Sequence, residues 1–272
     1  MFFSSMLVTV ITVPVIIIQS FSCRQLCIKF LCQLEGFCSV INAVSIVYHL
    51  ALMSVVRYLT LTDNRYFTIL FKHHGLYAVL FCWTMALVWA ILPLFGINQY
   101  VPEGMGLHCS PDWNDSSWRS RTYFLIGTIF IYLLPLVTII CMNMTTYRTL
   151  YRLIQSVNTS TKASEFSTKL IYSNNNNVKD NKYKNVLRLC RLRVDKRLAL
   201  AGIIVITVFI LTWTSYSIFS LIKLIYGTIK PYDNSKTLTI CSLLCKMSLL
   251  LNPLIYIFTI RTSRLLPKFC LK

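Results

Sequence analysis

The chain has 272 residues, of which 56% are hydrophobic and 13% are charged. A soluble domain of this length does not bury so much apolar surface, so the composition excludes an ordinary soluble protein and indicates a membrane protein. Lysine and arginine number 27 against nine acidic residues, but they lie between and after apolar runs, which indicates a topology signal and not a nucleic-acid surface.

Six apolar stretches are long enough to cross a bilayer as helices. They lie at about 1–20, 33–60, 76–97, 122–147, 198–227 and 238–260. We therefore predict a single all-α domain over residues 1–272, a multi-pass transmembrane helix bundle embedded in the lipid bilayer.

The connections between these stretches differ in charge. The connection 148–197 carries 12 lysines and arginines and the tail 261–272 carries four, whereas the loop 98–121 carries two. Basic connections stay in the cytoplasm, so 148–197 is predicted to be a cytoplasmic loop and 261–272 a cytoplasmic tail. With six spans, the N-terminus is expected inside as well. The Asn-rich run Ser173–Asn177 is predicted to be disordered.

Two ionisable residues lie in apolar runs. Because placing a charged side chain inside a membrane costs several kcal/mol, each of these residues indicates a function. Lys246 lies about 12 Å into the last span, and Glu35 lies near the start of the span 33–60. The residues alone leave two interpretations of Lys246 open. In the first, Lys246 has a structural role, in an ion pair or in the wall of a polar cavity. In the second, its amine forms a Schiff base with an aldehyde, and a nearby carboxylate balances the charge of the protonated Schiff base.

The position of Lys246 favours the second interpretation. It precedes the run Asn252-Pro253-Leu254-Ile255-Tyr256 by six residues. This NPxxY run, with a lysine at that spacing, resembles the end of the seventh helix of opsins, which are rhodopsin-like (class A) G-protein-coupled receptors. The resemblance implies a seven-helix fold, light sensing, and retinal, as the 11-cis or all-trans isomer, bound to Lys246.

Further residues match the retinal-binding region of opsins. Cys32 and Glu35 resemble the start of the opsin third helix. The resemblance implies that Cys32 forms a disulfide with Cys109, that Glu35 is the counterion of the Schiff base, and that Glu103 is an alternative counterion. It also implies that Trp213 packs beside retinal.

The resemblance also implies signalling residues and partners. They are Arg57, Tyr58, Asp195, Asn252, Pro253 and Tyr256. The implied partner is a heterotrimeric G protein of the Gi/o type at the plasma membrane, with arrestin as a further partner.

Several positions depart from the opsin pattern. Val56 replaces the acid before the arginine, Ser215 replaces a proline of the sixth helix, and Asn143 replaces a tyrosine of the fifth. If Cys32 begins the third helix, Met1 falls in the second, so the first helix of the fold is expected to be missing. The absent acid is expected to raise dark activity, and Ser215 is expected to leave its helix less kinked.

Two other functions stay open. One is a retinal photoisomerase, as in retinochrome-like opsins, and the other is a receptor for a diffusible ligand without retinal. Asp112-Trp113, Asp195-Lys196 and residues 257–261 look most like the encephalopsin and teleost-multiple-tissue opsins. Asn114 fits a glycosylation pattern, and Cys270 is a candidate for palmitoylation.

Overall fold

The structure is a computed structural model. It describes residues 29–62, 65–103, 106, 108–170, 176–226 and 239–246, with the single positions 10, 14, 17, 236 and 237. Within its helices, the side chains of 65–73, 160–191, 193, 195, 198 and 223–226 lie outside this description.

Long helices make up most of the described chain. They are α1 (Lys29–Leu61), α2 (Arg65–Ile91), α3 (Trp118–Gly127), α4 (Leu134–Leu170) and α5 (Asn176–Tyr226). A 3-10 turn, Leu92–Phe95, follows α2, and a π-helical segment, Thr128–Leu133, joins α3 to α4. Residues 239–246 are also helical.

Four helical stretches are long and apolar enough to cross a membrane. They are Lys29–Leu61, His74–Phe95, Trp118–Thr159 and Ala199–Ile222. Large apolar side chains such as Leu76, Phe130 and Leu211 are exposed on their surfaces, as is expected where lipid replaces water. These stretches agree with four of the six predicted spans. The predicted spans 1–20 and 238–260 lie outside the described residues, apart from positions 10, 14, 17 and 239–246.

The predicted loop 148–197 is largely helical. Helix α4 continues to Leu170, and α5 already begins at Asn176. Hydropathy marks only the apolar part of a helix, and no proline or glycine lies between 148 and 197 to end one. The predicted disorder of Ser173–Asn177 is wrong for its last two residues, which belong to α5, while residues 173–175 lie outside the described part.

A β-hairpin lies between α2 and α3, which the all-α prediction did not include. Strands β1 (Tyr100–Glu103) and β2 (His108–Pro111) are antiparallel, with Tyr100 opposite Pro111 and Glu103 opposite His108. The predicted disulfide between Cys32 and Cys109 is present and ties β2 to α1.

Tyr100 anchors the hairpin to two helices. Its hydroxyl donates a hydrogen bond to the carbonyl of Ala90 at 2.8 Å, and burial raises the pKa of this phenol. Its ring lies flat against Gly36 of α1, where an added Cβ would come within 2.7 Å of Cγ of Tyr100. A glycine is therefore needed next to Glu35 for the hairpin to dock.

Buried apolar side chains join the helices on either side of this docking point. One cluster contains Ile41, Ala86, Trp89, Tyr123 and Phe124. A second connects α1, α4 and α5 through Ile46, Leu50, Ile139, Val205 and Ile206, with Trp213 packed against it. The space between the helices above this second cluster holds the candidate site.

We expect Gly36→Ala to lower the thermal stability of the purified chain. Alanine favours a helix over glycine by about 1 kcal/mol, but here the ring of Tyr100 must move, and overpacking costs about 1–3 kcal/mol. Gly127→Ala is the matched control, because its Cβ would meet atoms only at 3.6 Å or beyond. The measurement is the apparent melting temperature in detergent. A Gly36→Ala protein at least as stable as Gly127→Ala would contradict this account of hairpin docking.

Candidate functional site

The helices and the hairpin enclose a cavity of about 210 Å³. Its walls come from α1, α3, the π-helical segment, α5 and residues 239–246, and the hairpin contributes Glu103 and all of β2. Most of the lining is apolar or aromatic, and includes Val40, Val44, Phe124, Ile131, Phe209 and Trp213. A cavity of this kind suits a largely apolar ligand that is held by a few polar groups.

The π-helical segment directs side chains into the cavity. Pro135, which lies just after it, has no N–H to donate to the carbonyl of Ile131, and its ring crowds that turn. The helix accommodates this by the wider turn Thr128–Leu133. Ile131 and Tyr132 line the cavity as a result, and the Tyr132 hydroxyl is hydrogen-bonded to Oγ1 of Thr214 on α5.

Lys246 and Glu35, the residues predicted as attachment site and counterion, are in contact beside the cavity, and their roles stay predictions. Nζ of Lys246 donates to Oε1 of Glu35 at 3.3 Å. The Glu35 side chain is 1% exposed and that of Lys246 is 22% exposed, and Lys246 belongs to the cavity lining. Oε2 of Glu35 has no hydrogen-bond partner among the described residues. The site therefore combines a primary amine with a carboxylate that has one oxygen to spare.

Glu103, the predicted alternative counterion, also lines the cavity but has other partners. Nε2 of His108 lies 3.0 Å from its Oε2. The hydroxyl of Tyr216 donates to its two oxygens at 3.1 and 3.0 Å, and the Trp113 indole donates to that hydroxyl at 3.2 Å. The structure thus surrounds the two carboxylates with different groups.

Three further polar side chains border the cavity without a partner in the described part of the chain. They are Ser39, Asn42 and Trp213, whose Oγ, amide atoms and Nε1 are buried. The Trp213 ring stacks on Phe209 with 5.4 Å between ring centroids. Helix α5 continues through Ser215, whose hydroxyl donates a hydrogen bond to the carbonyl of Leu211. The helix is therefore continuous beside Trp213.

Arg57 and Tyr58 lie near the other end of α1 and are half-buried. A Cβ at Gly202 of α5 would lie 2.5 Å from Nη1 of Arg57 and 3.3 Å from Oδ1 of Asn143, so the guanidinium packs against the α5 backbone at this glycine. Asn143 donates to Oγ of Ser54 at 2.7 Å. These contacts join α1, α4 and α5 around the arginine.

Several predicted residues are placed only in part or not at all. The backbone of Asp195 belongs to α5, but its side chain is not described. Asn252, Pro253, Tyr256 and Cys270 lie outside the described residues. Asn114 is exposed, with its N–H bonded to Asp112, and its glycosylation stays a prediction.

Sequence reasoning missed His108, Tyr216 and Asn42. His108 directly precedes Cys109, and the predicted disulfide was a signal that its neighbours lie beside the site. Tyr216 follows Trp213 by three residues and so shares its helix face. Asn42 carries a buried amide within an apolar run of the sequence. Its place beside the other polar groups becomes visible only from the cavity lining in the structure.

Comparisons with known proteins agree with this architecture. The sequence matches the family described as "7 transmembrane receptor (rhodopsin family)" over residues 1–256. Opsin Rh6 of Drosophila melanogaster is 27% identical over 93% of this chain and 64% of its own length. Parapinopsin of Ictalurus punctatus is 28% identical over 86% of this chain and 59% of its own length. The chain therefore spans less than two thirds of either relative.

The fold is similar to that in the crystal structure of squid rhodopsin, with a TM-score of 0.71 at 20% sequence identity. This similarity covers 97% of the present chain and 71% of the squid chain. The predicted resemblance to opsins and the predicted multi-pass membrane location are confirmed, while the encephalopsin-like subgroup stays a prediction. The match over residues 1–256 shows that this chain belongs to the rhodopsin family of seven-transmembrane receptors.

Proposed function

We propose that this chain is an opsin, a light-sensing receptor that holds retinal covalently on Lys246 and activates a heterotrimeric G protein of the Gi/o type. The contact between Lys246 and Glu35 at a largely apolar cavity carries this proposal, because it places an amine of the cavity wall and a balancing carboxylate 3.3 Å apart. The similarity to proteins named opsins supports it.

The cavity residues fit retinal in three respects. The apolar and aromatic lining suits a polyene, and the Lys246 amine at the wall suits its aldehyde. A protonated Schiff base needs a nearby anion in an apolar site, and Glu35 has an oxygen without a partner in the described region. The fit thus rests on this chain's own donor and acceptor groups.

Bound retinal would supply light absorption and a change of shape on isomerisation. The protein residues supply attachment at Nζ of Lys246, charge balance at Glu35, and the shape of the walls. Trp213 lines the cavity and also packs against the cluster that joins α1, α4 and α5. A change in the space beside its ring therefore acts on the packing of α5, the kind of helix movement that rhodopsin-like receptors use for signalling.

Reconstitution tests the proposal directly. The purified 272-residue chain is mixed with 11-cis-retinal or with all-trans-retinal in the dark, and absorption spectra are recorded. We expect a visible band and, after borohydride reduction, a retinyl adduct on the peptide that contains Lys246. Lys246→Gln should give neither. Colourless protein without an adduct would refute the proposal, and extraction of the isomers before and after illumination separates a receptor from a photoisomerase.

The two carboxylates are expected to differ in their effect on colour. Glu35→Gln removes the charge that lies 3.3 Å from Nζ, so the linkage loses its proton and the band moves from the visible to the ultraviolet at neutral pH. Glu103→Gln, an isosteric change in a residue that His108 and Tyr216 already engage, should keep the visible band. The reverse pattern would make Glu103 the counterion.

Val56→Glu is expected to lower dark activity in the assembled receptor. In the receptors that this chain resembles, an acid at this position holds the arginine in the inactive form, and a difference of about 1 kcal/mol changes the ratio of two forms about fivefold. Val56→Gln has nearly the same shape without the charge. The measurement is nucleotide exchange on a Gi/o protein in the dark, and a rate in Val56→Glu equal to that in Val56→Gln would contradict the prediction.

A further inference from the structure

His108 gives the candidate site a buried imidazole ring, which the proposed function does not use. It lies on β2, directly opposite Glu103 of β1, and both side chains are 3% exposed. We propose that His108 is an imidazolium that holds Glu103 in an ion pair of its own, and so leaves Glu35 as the carboxylate that balances Lys246. This inference rests on the proposed function and assigns a positioning role to His108.

The contacts of Glu103 fix its orientation. His108 binds Oε2 at 3.0 Å, and the Tyr216 hydroxyl bridges both oxygens. The Trp113 indole in turn holds the Tyr216 hydroxyl. Glu103 is therefore held from β2 by His108 and from α5 by Tyr216.

The charges around His108 favour its protonated form. Glu103 faces it from β1, Glu35 interacts with it electrostatically from α1, and Tyr216 on α5 binds the same carboxylate. Lys246, in the helical segment 239–246, interacts with Glu103 as well. A carboxylate 3.0 Å from an imidazole favours the charged form of the ring.

The position of His108 in the hairpin makes it a selector between the two carboxylates. Its neighbour Cys109 forms a disulfide with Cys32. Cys32 belongs to α1 and lies three residues before Glu35 in the sequence. The backbone of β2 is thereby fixed beside Glu35, and the imidazole ring reaches from it toward Glu103. Nδ1 of His108 is buried and has no partner among the residues described, so its contact with Glu103 is made through Nε2 alone.

A series of pigments in the Glu35→Gln background tests the proposal. Glu35→Gln alone should lack the visible band. Adding His108→Gln should restore the band, because Glu103 is then released to balance Lys246, and adding Glu103→Gln to that double variant should abolish the band again. Adding Tyr216→Phe in place of His108→Gln is the control for loosened packing, since it removes a hydrogen bond without removing a charge, and it should leave the band absent.

Two results in this series would overturn the proposal. One is a double variant Glu35→Gln/His108→Gln that stays in the ultraviolet. The other is equal restoration by Tyr216→Phe, which would show that packing and not charge restrains Glu103. Failure of the unmodified chain to form any pigment would refute the proposed function instead, so the two failures are distinguishable.

A second measurement needs no retinal. Nitrogen-15 NMR of histidine-labelled protein in detergent, with the His108 signal assigned by its loss in His108→Gln, reports whether both ring nitrogens carry a proton. We expect the doubly protonated ring at neutral pH, and its conversion to the neutral ring in Glu103→Gln. A neutral His108 ring in the unmodified protein, or a ring unaffected by Glu103→Gln, would overturn the proposal even if no pigment forms.

Discussion

The buried contact between Lys246 and Glu35 is the constraint on which the rest of the site depends. Glu35 is fully buried and Lys246 is largely buried, and in such surroundings each side chain is favoured in its charged form by the presence of the other. The two residues are 211 positions apart in the chain, so their contact also ties α1 to the helical segment 239–246. The same atoms provide the amine and the anion that an aldehyde ligand requires, so the structural contact and the proposed chemistry have a common origin.

The hairpin keeps the two carboxylates of the site apart. Tyr100 packs on Gly36, next to Glu35, and the disulfide at Cys32 holds β2 to the same part of α1. Glu103 is carried by β1, so its backbone has a fixed place relative to Glu35. In this arrangement Glu35 meets Lys246, while Glu103 meets His108 and Tyr216.

The sequence predicted the parts of this site that follow from burial cost and from motif spacing. Lys246 and Glu35 were identifiable because charged residues in apolar runs are rare, and Cys32 and Cys109 because they match a known pattern. The pairing of His108 with Glu103 depends on the register of two four-residue strands, and the turn Thr128–Leu133 depends on how one helix adapts to Pro135. Neither feature produces a periodic pattern of hydrophobic residues in the sequence. The helical extent of 148–197 was missed because hydropathy reports lipid contact and not helix formation.

The cavity and the Arg57 region are joined by one helix. Trp213 and Gly202 both belong to α5, and their separation of 11 positions corresponds to about 16 Å of helix. Helix α5 is continuous from Gly202 to Trp213, so the cavity side chain and the glycine against which Arg57 packs belong to one helical segment. Val56 places an apolar side chain next to Arg57 on α1, while Gly202 brings the backbone of α5 close to the guanidinium. The same helix therefore contributes both to the wall of the cavity and to the surroundings of the arginine.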